Sequence, residues 1–454
     1  MTSSRSMQMA ALGASVLSLA SPACLASGFQ ILEQSTSRLG TAYAGTASIA
    51  DDATTAFFNP AGMARLEGAE ISVAGHLLVI DSEFEDQGSL AAAGTPLQQS
   101  FTDAPGTTDD PAIAGGLFLV QPIAERWTFG LGVSVPFGLI SEYDDDSLVR
   151  YHATKSELTV INVNPSVAFE VNEELSLGFG LSYQYADVKL NNSVDSFAVC
   201  VGAGGSAAGC AAAHDGPANA SADSQSNIDG DDDAIVADLS LHWQPAEHTA
   251  VGLIWRQGAD YNIGGNASFS VSESCAADPL CAGTLQSLQG PVKADAEFPD
   301  TLTASVSHRI LDRWTVHGDV AWTEWSSLQR VGIVNTDNGL EVGALELNYD
   351  DTFRVSTGAT YQVSQYLEWR FGIAFDETPQ DDPQFVSPRI PDADRFWVSA
   401  GFSYQFGPGG SIDVGYAHLF VDDSNIDSIA QGNQLTGQFD NTVDILGLQF
   451  NWRY

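Results

Sequence analysis

The chain has 454 residues, 17% of them charged, and 58 acidic against 17 basic side chains give a formal charge of −41. Such a field repels nucleic acid and anionic lipid surfaces, which excludes a nucleic-acid-binding role. Mean hydropathy is −0.03, and no stretch beyond the N-terminal region has the ~18 uninterrupted apolar residues of a helical span, so several soluble domains or one large β-barrel remain.

Met1 to Met7 carries Arg5 and no acid, and Met9 to Leu25 is small and apolar up to Cys24-Leu25-Ala26. This reads as a secretory signal over residues 1–26, cleaved to leave Ser27 first. Lipidation at Cys24 is a competing reading, but Ser21-Pro22-Ala23 lacks the leucine-type motif that precedes a lipidated cysteine. Residues 27–68 are full of Ala, Gly, Ser and Thr with little alternation. They predict a compact hatch that plugs a barrel lumen. Within it Asn59-Pro60-Ala61 predicts a proline-fixed turn, which either moves to open a path or only holds the hatch in place.

From Ala69 to Tyr454 the signal is period two, the mark of strands with two unlike faces. Leu446, Leu448, Phe450, Trp452 and Tyr454 share one parity and suit lipid; Gly447, Gln449, Asn451 and Arg453 share the other and suit a wet lumen. Fourteen such segments follow one another, near 69–85, 111–121, 126–142, 155–170, 174–190, 233–244, 248–260, 292–308, 313–326, 352–363, 366–377, 394–406, 411–421 and 441–454. The expected fold is an all-β, 14-stranded antiparallel transmembrane barrel over residues 69–454, in the outer membrane of a Gram-negative bacterium. Short turns face the periplasm and long polar loops such as Asn191 to Asp232 the outside. The terminal Tyr454 is the kind of residue that barrel-assembly machinery reads, and a monomer is expected.

Along this stretch Pro136, Phe137 and Gly138 interrupt the third strand, either as a lateral opening or as an ordinary bulge. Cys200 with Cys210 and Cys275 with Cys281 form two close pairs in polar loops of an exported chain, which favours local disulfides over a metal site or a reactive thiol. Acid runs at Asp144 to Asp146, Asp229 to Asp233 and Asp381-Asp382 read as loops, facing lipopolysaccharide through divalent cations or merely solvated. Asp229, Asp231 and Asp233 start like a calcium loop, but Ala234 replaces the turn glycine, so no metal and no cofactor are expected. The common hydrolase, zinc-protease and phosphate-loop strings are missing, and no enzymatic activity is expected. Arg256, Arg354 and Arg370 take the inward parity, where they either hold a ligand carboxylate or pair with inward Asp319, Glu368 or Asp376.

Ser27-Gly28-Phe29-Gln30, Glu33-Gln34-Ser35, Ala42-Tyr43-Ala44-Gly45 and Asn59-Pro60-Ala61-Gly62-Met63 resemble the hatch of the long-chain fatty-acid outer-membrane transporter family, the FadL and TodX type. Pro136-Phe137-Gly138-Leu139, Asn164-Pro165-Ser166, Trp322-Thr323-Glu324-Trp325-Ser326 and Ile390 to Trp397 extend the resemblance along nearly the whole mature chain. It implies an outer groove and an inner pocket for a hydrophobic ligand, passive transport, and lateral exit at a kink in the third strand. It also implies a basic pocket residue near Lys189, which joins Arg256 and Arg354 as a head-group candidate. Long-chain fatty acid is the expected cargo, a monoaromatic hydrocarbon the alternative, and a general porin a less favoured one.

Overall fold

The computed structural model describes residues 28–108, 111–407 and 409–454. The expected signal segment, its cleavage point and Cys24 lie outside the described residues.

Alternation of bulky apolar with small or polar residues lets each segment put one face against lipid and the other inward, and fourteen strands do so. They are β1 (Glu70–Asp86), β2 (Ala112–Ala124), β3 (Trp127–Glu142), β4 (Lys155–Glu170), β5 (Leu175–Val194) and β6 (Ser224–Ala246). Then come β7 (Thr249–Arg256 and Asp260–Ser270), β8 (Gly290–Glu297 and Thr301–Leu311), β9 (Trp314–Thr323 and Arg330–Asn335) and β10 (Glu341–Glu346 and Thr352–Ser364). The set ends with β11 (Leu367–Asp376), β12 (Arg395–Phe406), β13 (Gly410–Val421 and Ser424–Ala430) and β14 (Asn433–Arg453). Each strand pairs antiparallel with the next, and β1 pairs with β14 from Glu70↔Arg453 to Asp86↔Gly437, which closes the barrel. Ring pairs such as Trp127 with Phe169 and Trp314 with Tyr361, both 4.7 Å between centroids, gird the short-turn end.

Several strands outrun their apolar belts. β5 and β6 stay paired from Leu175↔Trp243 to Val194↔Ser224, so Asp229 to Asp233 belong to a strand, not to the loop that acidity and polarity predict. The backbone ladder continues beyond the membrane, where polar side chains are free to face water. The connection shrinks to two short helices, Ser196–Gly202 and Ala207–His214, joined by a Cys200–Cys210 disulfide. Likewise Glu273–Ala277 and Pro279–Leu288 carry the Cys275–Cys281 disulfide.

Residues 28–68 hold two helical turns, Thr36–Leu39 and Thr55–Phe58, and a 3-10 segment, Pro60–Arg65. They lie inside the wall and bond to inward residues all round it. Ala47 N donates to Ser305 Oγ on β8, Thr46 N to Asp319 on β9, and Ala61 N to Ser240 Oγ on β6. Two wall glycines show how close the backbones come: a Cβ at Gly372 would sit 2.0 Å from Thr41 C, and one at Gly252 1.8 Å from Ala47 O. Parity is as the sequence predicts, with Leu448 61% exposed and Gln449 0%. The wet lumen expected around Gln449 is corrected: its Oε1 accepts from Thr36 N at 2.8 Å and Ser35 Oγ at 3.0 Å, and its Nε2 donates to Asp52 at 3.0 Å.

Candidate functional site

Proline has no N–H to give a ladder, and β3 slips where Pro136 stands. Its pairing with β4 jumps from Ser134↔Asn162 to Phe137↔Val160. On its other side the β2 ladder runs from Ala124↔Trp127 to Leu117↔Val133 and stops there. Ala112 to Gly116 of β2 pair with β1 alone, so among the described residues β2 gives β3 no ladder above Val133, until at the top Glu142 N reaches Thr108 Oγ1 at 3.4 Å. The hatch takes that edge. Ile31 N donates to Pro136 O at 2.9 Å, Gly138 N to Phe29 O at 3.1 Å, and Gln34 Nε2 to Val135 O at 2.7 Å. Gly138 makes room for this strand, since a Cβ there would lie 2.6 Å from Ile31 Cδ1. The start of the hatch is held by the Ile390–Trp397 string: Gly28 N donates to Asp392 Oδ2 at 2.8 Å, and Arg395, ion-paired with Asp392, donates to Gly28 O at 3.3 Å.

Two cavities meet near this edge. The upper one encloses about 830 Å³, partly open to solvent, with walls from Leu158, Leu190, Ile263, Leu328 and Ile333 among others. The lower one, about 990 Å³, lies behind the hatch against Ile31, Phe57, Pro136, Phe137 and Ile254, and includes Arg256, Arg354, Asp319 and Asp376. An aromatic cluster separates them. Phe137 packs 5.1 Å from Phe298, and Phe29 4.8 Å from Trp325, between ring centroids. Phe29 and Phe298 face the upper cavity and Phe137 the lower.

The basic residues divide by environment. Arg256 Nη2 donates to Phe57 O at 2.7 Å and its guanidinium lies 4.5 Å from the Phe57 ring centre; it makes no ion pair among the described residues. Arg354 donates to Ala42 O at 2.9 Å and approaches Asp376 at 3.6 Å. Arg370 binds Asp413 at 2.5 Å and Glu368 at 3.0 Å, in a separate polar cavity of about 520 Å³ that also includes Asp51. Lys189 corrects the expectation drawn from resemblance: Val188 and Leu190 take the inward places, and Lys189 lies on the outer face beside Glu157 at 3.2 Å and Asp187 at 3.7 Å.

Asn59 is fully buried and ties the hatch turn to itself and to the wall. Its Nδ2 donates to Ala47 O at 2.5 Å and Leu241 O at 3.0 Å, while its Oδ1 accepts from Ala61 N at 3.0 Å. Ser176 Oγ of β5 donates to Ala61 O at 2.8 Å. Phe29, Phe298, Asp392 and Arg395 were not singled out as site residues by sequence reasoning, though three of the four stand in the quoted strings.

A family model described as outer membrane protein transport protein (OMPP1/FadL/TodX) matches residues 17–454. The chain belongs to this family. It is 31% identical over 422 residues to outer membrane protein P1 of Haemophilus influenzae, across 89% of this chain and 88% of that one. It is 27% identical over 408 residues to the long-chain fatty acid transport protein of Escherichia coli O6:H1, across 89% of each. A crystal structure of a Pseudomonas aeruginosa FadL homologue superposes with a TM-score of 0.85 at 23% identity, over 94% of this chain and all of that one, a likeness in fold. This OMPP1/FadL/TodX-family barrel therefore resides in the outer membrane, and the cavities and the β3 edge belong to a transport protein.

Proposed function

We propose that the protein carries long-chain fatty acids passively from the upper cavity, past the aromatic cluster, into the lower cavity and then sideways into the bilayer beside Pro136 to Gly138. The observation that carries this reading is the β3 edge to which β2 gives no ladder among the described residues, with a cavity of mixed apolar and charged walls directly behind it. An alkyl chain released into the periplasm must be rehydrated at about 25 cal/mol for each Å² exposed. Exit into the bilayer avoids that cost. The residues covering the edge, Phe29 to Ile31, make only two backbone bonds to β3, while the hatch beyond Ser35 is fixed to many strands. Peeling the short strand away would expose the gap and move Phe29 out of the cluster together.

Fatty acid is favoured over a neutral hydrocarbon by Arg256, a buried cation at the lower cavity that makes no ion pair among the described residues, the Asp238 carboxylate acting on it only from beyond ion-pair distance. A charge-assisted bond there contributes about 1.5 to 3 kcal/mol. The E. coli relative that bears the fatty-acid name supports the same choice. A monoaromatic cargo would find the aromatic rings congenial but would leave Arg256 unused.

The test replaces Gly138 by Trp and measures oleate uptake by cells, with surface binding followed separately. Uptake should fall at least tenfold with binding retained; normal uptake would mean that cargo leaves through the bottom of the barrel. Arg256→Met and Arg354→Met assign the head-group site, with Lys189→Met expected to leave oleate affinity unchanged. Equal affinity in all three would make the cargo uncharged there.

A further inference from the structure

We propose that a second wall opening, between β8 and β9, admits an amphiphile with a monoanionic head and an alkyl tail into the upper cavity, its head held by Lys293. This rests on the transport reading above and adds the way in. The β8–β9 ladder climbs from Leu311↔Trp314 to Thr301↔Thr323 and stops. It resumes only at Lys293↔Val334 and Val292↔Asn335. Between these limits β9 carries surplus chain, which turns inward as the 3-10 segment Trp325–Ser327 and buries Trp325 completely against Phe29. That segment is the core of the Trp322–Ser326 string, which the β3 exit does not explain.

The interruption is bounded, not frayed. β8 is held on its far side by β7, from Asp260↔Glu297 to Ala267↔Gly290, and β9 on its far side by β10, from Arg330↔Glu346 onward. Across the opening the lower part is bridged by Glu324 N donating to Asp300 O and Ser327 Oγ to Glu297 O, both 3.0 Å. Between these bonds and Lys293↔Val334, no backbone bond crosses among the described residues. The seam there is flanked by Ala294 and Ala296 on β8, Leu328 at the end of the 3-10 segment, and Val331 and Ile333 on β9; all five are buried, packed in one apolar cluster, and line the upper cavity.

Its height and charge select the ligand. The outward apolar residues of β8 and β9 end at Leu302 and Trp322, and above them stand Glu297, Asp295, Lys293 and Glu324, so the opening lies at head-group level rather than within the hydrocarbon. Lys293 borders the upper cavity and, among the described residues, has neither an ion pair nor a hydrogen bond. Arg330, the other cation nearby, is taken up by Glu341 and Glu346. One ammonium without an ion pair among the described residues supplies a single positive charge, which matches a monoanionic head. A carboxylate on Lys293 leaves its tail beside Ala294 and Ala296, at the mouth of the apolar cavity.

The test uses full-length protein in phosphatidylcholine proteoliposomes with two probes, oleate and the neutral oleyl alcohol. Lys293→Glu should slow oleate association roughly three- to tenfold, an exposed-pair effect amplified by charge reversal, and leave oleyl alcohol unchanged. Separately, Glu297→p-benzoylphenylalanine should cross-link both probes on illumination, and the same photoprobe at Val201, on an outer loop helix, should not. Heat-modifiable gel mobility verifies that each variant is a folded barrel. If Val201 is labelled and Glu297 is not, the opening is not the way in, although the transport reading survives. If Lys293→Glu treats oleate and the alcohol alike, the anion assignment is overturned. If the wild-type protein binds neither probe, the transport reading itself fails.

Discussion

Replacing Gln449 by leucine tests whether the hatch is held from the wall. The change preserves size and removes both polar ends of a side chain that is wholly buried. Its Oε1 accepts from Thr36 N and Ser35 Oγ, and its Nε2 donates to the Asp52 carboxylate and to Asn451 Oδ1 at 2.8 Å. Two neutral bonds to the hatch contribute about 1 kcal/mol each, and the bond to a charged acceptor about 1.5 to 3. The expected loss is therefore about 4 kcal/mol of hatch seating, or nearly a thousandfold in the fraction unseated, since about 1.4 kcal/mol is a factor of ten. The β1–β14 ladder on which Gln449 stands is untouched, so the barrel itself should remain folded. Planar-bilayer conductance should rise, and protease should cut within residues 36–66 while sparing the strands. If Gln449→Leu conducts and resists protease as the wild type does, the hatch is not secured by this network and the reasoning fails.

Leu448 stands beside Gln449 on the lipid face, and Leu448→Arg should cost about 2 to 4 kcal/mol near the bilayer midplane, read as a shift in the urea midpoint of refolding into vesicles; no shift would place this strand face away from lipid. Thiol alkylation of unfolded, unreduced protein should find Cys200, Cys210, Cys275 and Cys281 all blocked, and removing either disulfide should cost the outer loops about 2 to 3 kcal/mol in the chain-entropy account. Four reactive thiols would rule the pairs out. In the outer loops, burial beside the Arg389 guanidinium pushes the His152 imidazole down to about 4, and its Nε2 bonds to Ser428 Oγ at 2.9 Å. The neutral form is thus favoured by folding, so its contribution is full above about pH 6.5 and drains away as pH falls towards 4. Proteolysis of the loops should rise over that window, and His152→Gln should flatten the profile.

Much of the architecture was legible because a strand is a local pattern. The parity of Leu446 to Tyr454, repeated in fourteen segments, decides which side chains meet lipid whatever the neighbours are. The cysteine pairs were legible for the same reason, each being close in sequence within one polar segment. The extent of β6 was not, because hydrogen bonds to β5 hold Asp229 to Asp233 in a strand although nothing apolar marks them.

What faces the inward side is another matter. Parity places Gln449, Arg256 and Arg354 inside, but whether they meet water, ligand or the hatch depends on residues hundreds of positions away, such as Thr36 against Gln449 and Ala42 against Arg354. Resemblance drew Lys189 towards the pocket, and the pleat of β5 put it outside. The aromatic cluster joins Phe29, Phe137, Phe298 and Trp325 from four separate elements, and the edges at β3 and β9 exist only where a neighbouring ladder fails to follow a slip. The sequence by itself determined the barrel and its lipid face, since those follow from a two-residue period and local composition. Closure of the barrel decided the rest, because only a folded wall brings the hatch, the arginines and the interrupted strands within bonding distance.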